Sequence, residues 1–200
     1  MSSDFKKFKT VENLAKAFVG ESMARNRYTF YASTAKKEGF EQISEIFAIT
    51  AENEREHASW FYKMLMEIRD KHGIDLKDLK IETHVPVLRA KTIENLKGAI
   101  IGETEEYSML YPEFARVAEE EGFKEIAARI KAIAIAEKHH AQRYEKLKKE
   151  LEQESLFKKE NEVWWVCREC GYVHYGREPP EKCPSCGHER GFYQLMCENY

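Results

Sequence analysis

The chain lacks any apolar run approaching the roughly 18 residues that a membrane-spanning helix requires. Its start, MSSDFKKFKT, has no apolar stretch of the kind an export signal carries. Neither insertion nor export is expected, and the chain reads as cytoplasmic. Charge imbalance is missing too: 32 Lys and Arg stand against 35 Asp and Glu, a formal net charge of -3 with both signs interspersed. No basic face invites nucleic acid, and no membrane partner is indicated. A Gly-rich nucleotide loop is also absent, so any nicotinamide cofactor would have to act through a separate protein. Finally, the first 166 residues contain no cysteine, and four of the five that follow form two C-x-x-C pairs. In a reducing compartment that pattern reads as a metal site rather than a disulfide framework. With 42% hydrophobic and 34% charged residues the chain can build one good core plus a small second unit, and its composition divides near residue 155.

What is present first is a repeat. KTVENLAKAFVGE (9–21) matches KTIENLKGAIIGE (91–103) at an offset of 82, and YASTAKKEGFEQI (31–43) matches FARVAEEEGFKEI (114–126) at an offset of 83. Each half is therefore one copy of a supersecondary unit. Thr10 and Thr92 are the expected N-caps, each with Glu in the first turn, followed by a long helical pattern, a break at Gly39 or Gly122, and a second helix. Two antiparallel pairs predict an all-α four-helix bundle with helices near 11–36, 41–71, 93–120 and 123–153. Pro112 is expected to kink the third helix, and residues 72–92, which contain Pro86, to form a long crossover between the pairs.

The fourth helix carries one stripe of Ile126, Ile130, Ile133, Glu137, His140, Tyr144, Leu147 and Leu151 at steps of three and four. Glu137 and His140 thus lie within the core stripe. The second helix repeats this with Phe47, Thr50, Glu54, His57, Phe61 and Leu65. On the first helix the stripe reaches Glu21 after Leu14 and Phe18; on the third it holds Glu103 and Glu106 before Leu110. Counted from the glycine breaks at 1.5 Å per residue, Glu21, Glu54, Glu103 and Glu137 all lie about 22 to 29 Å from the turn of their own pair. They can meet at one level.

A lone Glu-x-x-His on a charged helix is ordinarily solvated surface, and Glu52, Glu56, Glu105 and His139 on the outward faces are assigned to that class. Two copies inside apolar stripes, each facing a Glu at matching height, call for another account. Buried carboxylates without partners cost several kcal/mol each, and no stripe of Lys or Arg faces them. Two divalent cations would nearly balance the carboxylates, and oxygen-rich ligation with His suits iron or manganese.

GESMARNRY, ENEREHA, GETEEY and AEKHHA carry a resemblance over the first 150 residues to the ferritin-like di-iron carboxylate bundle of the rubrerythrin family. The resemblance implies that Glu54 and Glu137 bridge two irons, that Glu21 caps one, and that Glu103 and His140 hold the other. Position 24 is Ala where position 106 is Glu, so the repeat is asymmetric at a seventh candidate ligand. In the family, the counterpart of Glu106 exchanges with that of His57 as the redox state changes. Family precedent also makes Tyr28 and Tyr111 hydrogen-bond donors to the ligands; core packing with a hydroxyl partner explains each equally well.

Cys167, Cys170, Cys183 and Cys186 form C-x-x-C, a spacer of twelve, and C-x-x-C, enough to close a four-thiolate cage. Gly171 and Gly187 after each pair permit the tight turns that point backbone N–H groups at the sulfurs. By themselves these residues suit a zinc ribbon as well as an iron site. CRECGY and CPSCG, flanked by Trp164, Trp165, Tyr172 and Phe192, resemble the rubredoxin-like domain that rubrerythrins carry at this end, which implies one iron serving as a one-electron carrier. Cys197 stands outside the cage as an incidental thiol. The expected domains are the bundle at 1–153, a charged linker at 154–162 that fixes little of the relative placement, and a small rubredoxin-like β/loop domain at 163–200.

The resemblance implies reduction of hydrogen peroxide to water in oxidative-stress defence, with electrons passing through the rubredoxin-like iron. It also implies a head-to-tail homodimer and an external NAD(P)H-dependent reductase as partner. Two rival readings are a ferroxidase or iron-handling protein, and a non-enzymatic adaptor whose cysteine module holds zinc.

Overall fold

Helices α1 (Lys9–Lys37) and α2 (Glu41–His72) form the first antiparallel pair in a computed structural model that describes residues 7–77 and 79–198. The second pair is α3 (Thr92–Glu105) and α4 (Tyr111–Glu120), joined by a π turn at Glu106–Leu110, returning as α5 (Lys124–Glu152). This is the expected four-helix bundle, with residues 73–91 as the crossover. Residues 1–6 and 199–200 of the expected domains lie outside the described residues. No described helix is long and apolar enough to cross a membrane.

Each pair turns on a left-handed glycine, Gly39 at φ 79° and Gly122 at φ 88°. A side chain would be strained at either position. The residue before each glycine has a second task. Glu121 accepts hydrogen bonds from the Lys9 and Thr10 N–H groups at 2.7 and 2.9 Å, while Glu38 accepts from the Thr92 N–H at 3.1 Å. Thr10 and Thr92 are therefore not the caps their sequence positions predict. Both lie inside the first turn with buried hydroxyls, the N-cap residues are Phe8 and Lys91, and a carboxylate from the other pair takes the free N–H groups. A negative charge at a helix N-terminus also favours the macrodipole. Glu121→Ala should lower stability by about 1 kcal/mol, the usual loss for a helix cap, seen as a reduced melting temperature; an unchanged melt would show the cap to be idle.

The shift of the repeat offset from 82 to 83 has its structural counterpart in the π turn. The Tyr111 N–H bonds to the Glu106 C=O, five residues back, so one residue more than an α-turn is accommodated. Pro112 follows at once and has no N–H to continue an α ladder. The irregularity expected as a proline kink is thus a π turn just before the proline. It also corrects the stripe: Leu110 is 37% exposed and Tyr111, 2% exposed, takes the inward place.

The bundle has two apolar clusters rather than one. Leu14, Phe61, Leu65, Ile126 and Ile130 belong to the cluster toward the Gly122 end; Tyr31, Phe47, Leu96, Tyr144 and Leu147 belong to that toward the Gly39 end. Between them lies the layer of Glu and His.

Beyond α5, strands β1 (Val163–Cys167), β2 (Val173–Gly176) and β3 (Tyr193–Leu195) form an antiparallel sheet in the order β2-β1-β3 around buried Trp165. This module sits on the start of α2. Gly191 lies so close to Gly39 that an added Cβ would come within 2.1 Å of the Gly39 carbonyl oxygen. Arg168 pairs with Glu45 and with Gln194. The connecting residues 154–162 are not a free tether, contrary to the expectation from their charge. Phe157 stacks on Phe40 with centroids 6.5 Å apart, Ser155 bonds to Glu150 at 2.8 Å, and Lys159 pairs with Glu150.

Candidate metal centres

The polar layer is built by α2 and α5, whose Glu-x-x-His pairs place both side chains one turn apart on the inward face. Glu54 sets Oε2 at 2.9 Å from His57 Nδ1 and Oε1 at 3.2 Å from His140 Nδ1. Glu137 does the same from the other side, with Oε1 at 2.8 Å from His57 Nδ1 and Oε2 at 2.8 Å from His140 Nδ1. Each of these two carboxylates therefore offers one oxygen to each imidazole. Glu21 Oε2 lies 3.9 Å from His57 Nδ1, and Glu103 Oε2 lies 3.3 Å from His140 Nδ1. The result is two overlapping sets, Glu21, Glu54, His57, Glu137 and Glu54, Glu103, Glu137, His140, within each of which the ligand atoms lie within 4.8 Å of one another.

Glu21, Glu54, Glu103 and Glu137 are at most 1% exposed and His140 is 3% exposed. Tyr28 donates its hydroxyl to Glu103 Oε1, and Tyr111 donates to Glu21 Oε1. The opposite oxygens of both carboxylates, together with Glu54 Oε1, both oxygens of Glu137 and His140 Nδ1, are buried without a hydrogen-bond partner. Leaving so many buried acceptors unbonded is costly for a protein alone. Carboxylate oxygens and imidazoles that converge on two points fit a pair of cations. Glu52, Glu56, Glu105 and His139 are exposed, as assigned.

Burial pushes the His57 and His140 pKa values down, but Glu137, Glu54 and Glu103 more than offset it, raising them to about 10 and about 12. Burial pushes Glu54 up, yet the two imidazoles hold it at about 2. Burial and neighbouring carboxylates raise Glu103 to about 8 and Glu21 well above its ordinary value. Metals bind the deprotonated groups, so loading two ions at pH 7 should release protons from His57, His140 and Glu103. Calorimetry in two buffers of different ionisation enthalpy counts them; release near zero contradicts this charge assignment. The sign for the metal-free fold is opposite to that for loading. Imidazoles with raised pKa values stabilise that fold fully below about pH 6.5, and this contribution is lost as the pH rises through about 10 and then about 12.

Glu106 belongs to neither set. It is half-buried at the start of the π turn and lines a cleft of about 380 Å³ between α1, α3 and the crossover, beside Tyr111 and Arg27. Burial, then Glu103, Glu137 and Glu54, push its carboxyl pKa well up, while the Arg27 guanidinium draws it down. Sequence reasoning did not single out Arg27, because on a helix as charged as α1 nothing distinguishes it from its neighbours.

In the small module the four Sγ atoms of Cys167, Cys170, Cys183 and Cys186 lie within 4.8 Å of one another. The Cys167–Cys186 and Cys170–Cys183 separations are 3.8 and 3.6 Å. A tetrahedron with metal–sulfur bonds of about 2.3 Å has edges of about 3.8 Å, so the cage fits one ion. Gly171 and Gly187, both at φ 76°, close the two turns. Backbone N–H groups of Glu169 and Cys170 reach Cys167, and those of Ser185 and Cys186 reach Cys183. His188, also not singled out, places Nδ1 3.2 Å from Cys186 Sγ. Its place two residues past a cage cysteine was the available signal. Cys170 is exposed, giving the cage an open edge, and exposed Cys197 stands apart from it.

Comparison with known proteins agrees with this arrangement. The Rubrerythrin family matches residues 12–148, and the family described as Rubrerythrin, rubredoxin-like domain matches residues 165–194. The chain is 56% identical to the putative rubrerythrin of Methanocaldococcus jannaschii, over 96% of this chain and 94% of that one. It is 42% identical to the rubrerythrin of Nitratidesulfovibrio vulgaris over 96% of both. Among solved structures, fully reduced, all-ferrous nigerythrin is similar, with a TM-score of 0.62 and 29% identity over 98% of this chain and 92% of that one.

Proposed function

Because the chain belongs to the rubrerythrin family, with a di-iron centre in the bundle and a four-cysteine rubredoxin-like centre beyond it, we propose that it reduces hydrogen peroxide to water. Family membership makes it an iron-dependent oxidoreductase of oxidative-stress defence. The peroxidase reading rests chiefly on one observation: a two-ion site and a one-ion thiolate cage occur in the same chain. Cleaving one O–O bond takes two electrons and two protons, and yields two waters. When bound, the paired irons supply the two electrons, and the thiolate-held iron replaces them one at a time.

The residues have separate duties in this proposal. Glu54 and Glu137, common to both sets, would serve both ions; Glu21 and His57 would complete one set, and Glu103 and His140 the other. Tyr28 and Tyr111 each hold one oxygen of a terminal carboxylate, leaving the other oxygen free to ligate. By the family resemblance Glu106 would exchange with His57, the carboxylate suiting ferric and the imidazole ferrous iron. The apolar clusters above and below keep water from the ends of the site, so peroxide and protons arrive through the cleft lined by Glu106 and Tyr111.

The cage of the same chain is seated at the Gly39 end, and Glu54 lies about 22 Å farther along α2. Delivery within one chain is therefore long, and we assign it to a neighbouring copy in a head-to-tail homodimer. The electrons originate from an NAD(P)H-dependent reductase. Full activity from a species that sizes as a monomer would end the intersubunit route.

Stopped-flow mixing of the anaerobically reduced protein with peroxide tests the activity. One peroxide should be consumed per iron pair, faster than the same protein reacts with oxygen. Faster oxidation of added ferrous iron by oxygen would favour the ferroxidase reading instead, for which the thiolate cage has no use.

A further inference from the structure

Electrons that reach the bundle one at a time leave a vulnerable interval in each cycle. Peroxide can arrive when only one of the two electrons has been restored. Breaking the O–O bond then draws that single electron and leaves a demand for another. With no reserve to meet it, an oxidising radical is released among the ligands, a competing reaction that a redox site has to exclude.

The Gly39 side of the polar layer contains a group able to meet that demand. Tyr28 donates its hydroxyl to Glu103 Oε1, so its proton has an acceptor in place when an electron leaves the ring. The ring stands in a column of buried aromatics. Its centroid is 5.6 Å from that of Tyr144 and 6.0 Å from those of Tyr31 and Phe47, while Phe47 lies 5.0 Å from Tyr144 and 5.5 Å from Tyr31. All four belong to the apolar cluster toward the Gly39 end, where the sulfur cage of the same chain is seated.

Tyr111 is the counterpart on the other side and also donates to a carboxylate, Glu21. Its ring neighbours, however, are Phe61 at 5.4 Å and Phe114 at 6.2 Å. A phenyl ring has no hydroxyl proton to release and is harder to oxidise than a phenol. The buried Tyr144 hydroxyl, in turn, has no carboxylate to take its proton. Of these three tyrosines, only Tyr28 combines a proton acceptor with oxidisable neighbours on the side of the cage.

We propose that Tyr28 is a reserve electron donor, which gives one electron to peroxide when the iron pair can give only one, and passes its phenolic proton to Glu103 Oε1. This rests on the peroxidase reading given above. One electron from the pair, one from Tyr28 and two protons from solvent convert hydrogen peroxide to two waters, and Tyr28 is left as a neutral phenoxyl radical. One electron from the thiolate-held iron, which passes from ferrous to ferric, and the proton held on Glu103 Oε1 restore the phenol.

The test uses full-length, iron-loaded protein poised anaerobically with one electron per pair, mixed with one equivalent of peroxide and freeze-quenched for electron paramagnetic resonance. A tyrosyl signal should appear, and ring-deuterated tyrosine should narrow it. The signal should be lost in Tyr28→Phe and persist in Tyr111→Phe. Because Tyr28→Phe could simply fail to hold its iron, 3-fluorotyrosine placed at position 28 keeps the ring and hydroxyl, and it should add fluorine splitting to the signal.

A wild-type sample without the radical, a radical that survives Tyr28→Phe, or one without fluorine splitting would overturn the role of Tyr28. Fully reduced protein mixed with peroxide in the same way keeps the two readings apart. If it consumes peroxide while the singly reduced sample gives no radical, the reserve donor is overturned and the peroxidase reading stands. If the fully reduced protein consumes no peroxide, both fall together.

Discussion

In Glu137→Ala, iron binding in the bundle should weaken by more than about 100-fold at each ion, and peroxide turnover should fall with it. Loss of an outer hydrogen-bond partner alone commonly weakens metal binding by about 10- to 100-fold. Glu137 does more than an outer partner, because its two oxygens lie 2.8 Å from His57 Nδ1 and 2.8 Å from His140 Nδ1 and so serve both ions. Tyr111→Phe, which removes only the hydrogen bond to Glu21, should stay within the smaller range. Iron retained against chelators of graded strength ranks the variants. Glu137→Gln keeps the side-chain volume and separates loss of ligation from loss of folding. Retention of two irons at wild-type affinity in both Glu137 variants would remove this residue from the site.

The second large effect is expected in Cys167→Ala. A four-thiolate centre contributes much of the stability of so small a module, and Cys167 is a buried member of its core. The module should lose its iron and its order, while the bundle, whose two clusters include none of the module's residues, should retain its own iron pair. Steady-state peroxide reduction with a reductase should then drop at least about 100-fold, since a drop of that size needs only about 2.7 kcal/mol added to the barrier. A single turnover of the pre-reduced protein should proceed as in the wild type. A variant that sustains steady turnover at the normal rate would show that electrons bypass the cage.

Much of this was written plainly in the chain. Helical periodicity showed that Glu54, His57, Glu137 and His140 share the core stripes, because a carboxylate among isoleucines is conspicuous in one dimension. Counts of 18 and 19 residues back from Gly39 and Gly122 brought Glu21 and Glu103 to nearly the same height. Elsewhere long-range contacts decided matters that local patterns could not. Thr10 and Thr92 look like caps, but Glu121 and Glu38, more than 50 residues away, take the N–H groups. Leu110 continues a 3.6-residue pattern, yet the π turn gives its inward place to Tyr111. The change of repeat offset contained that information, but an inserted residue can form a loop, a bulge or a π turn, and sequence does not choose among them. The charges of residues 154–162 suggested solvent, whereas Phe157 and Lys159 fasten the segment to the bundle.

The contact of Gly191 with the Gly39 carbonyl has a consequence for throughput. With no room there for even a methyl group, the sulfur cage is registered against the helical frame as closely as two main chains can be. Tunnelling falls off exponentially with separation, so in the head-to-tail homodimer proposed above a small tilt between copies would be transmitted without slack to the donor–acceptor gap. A bulky residue at position 191 would leave every ligand in place and still throttle the current.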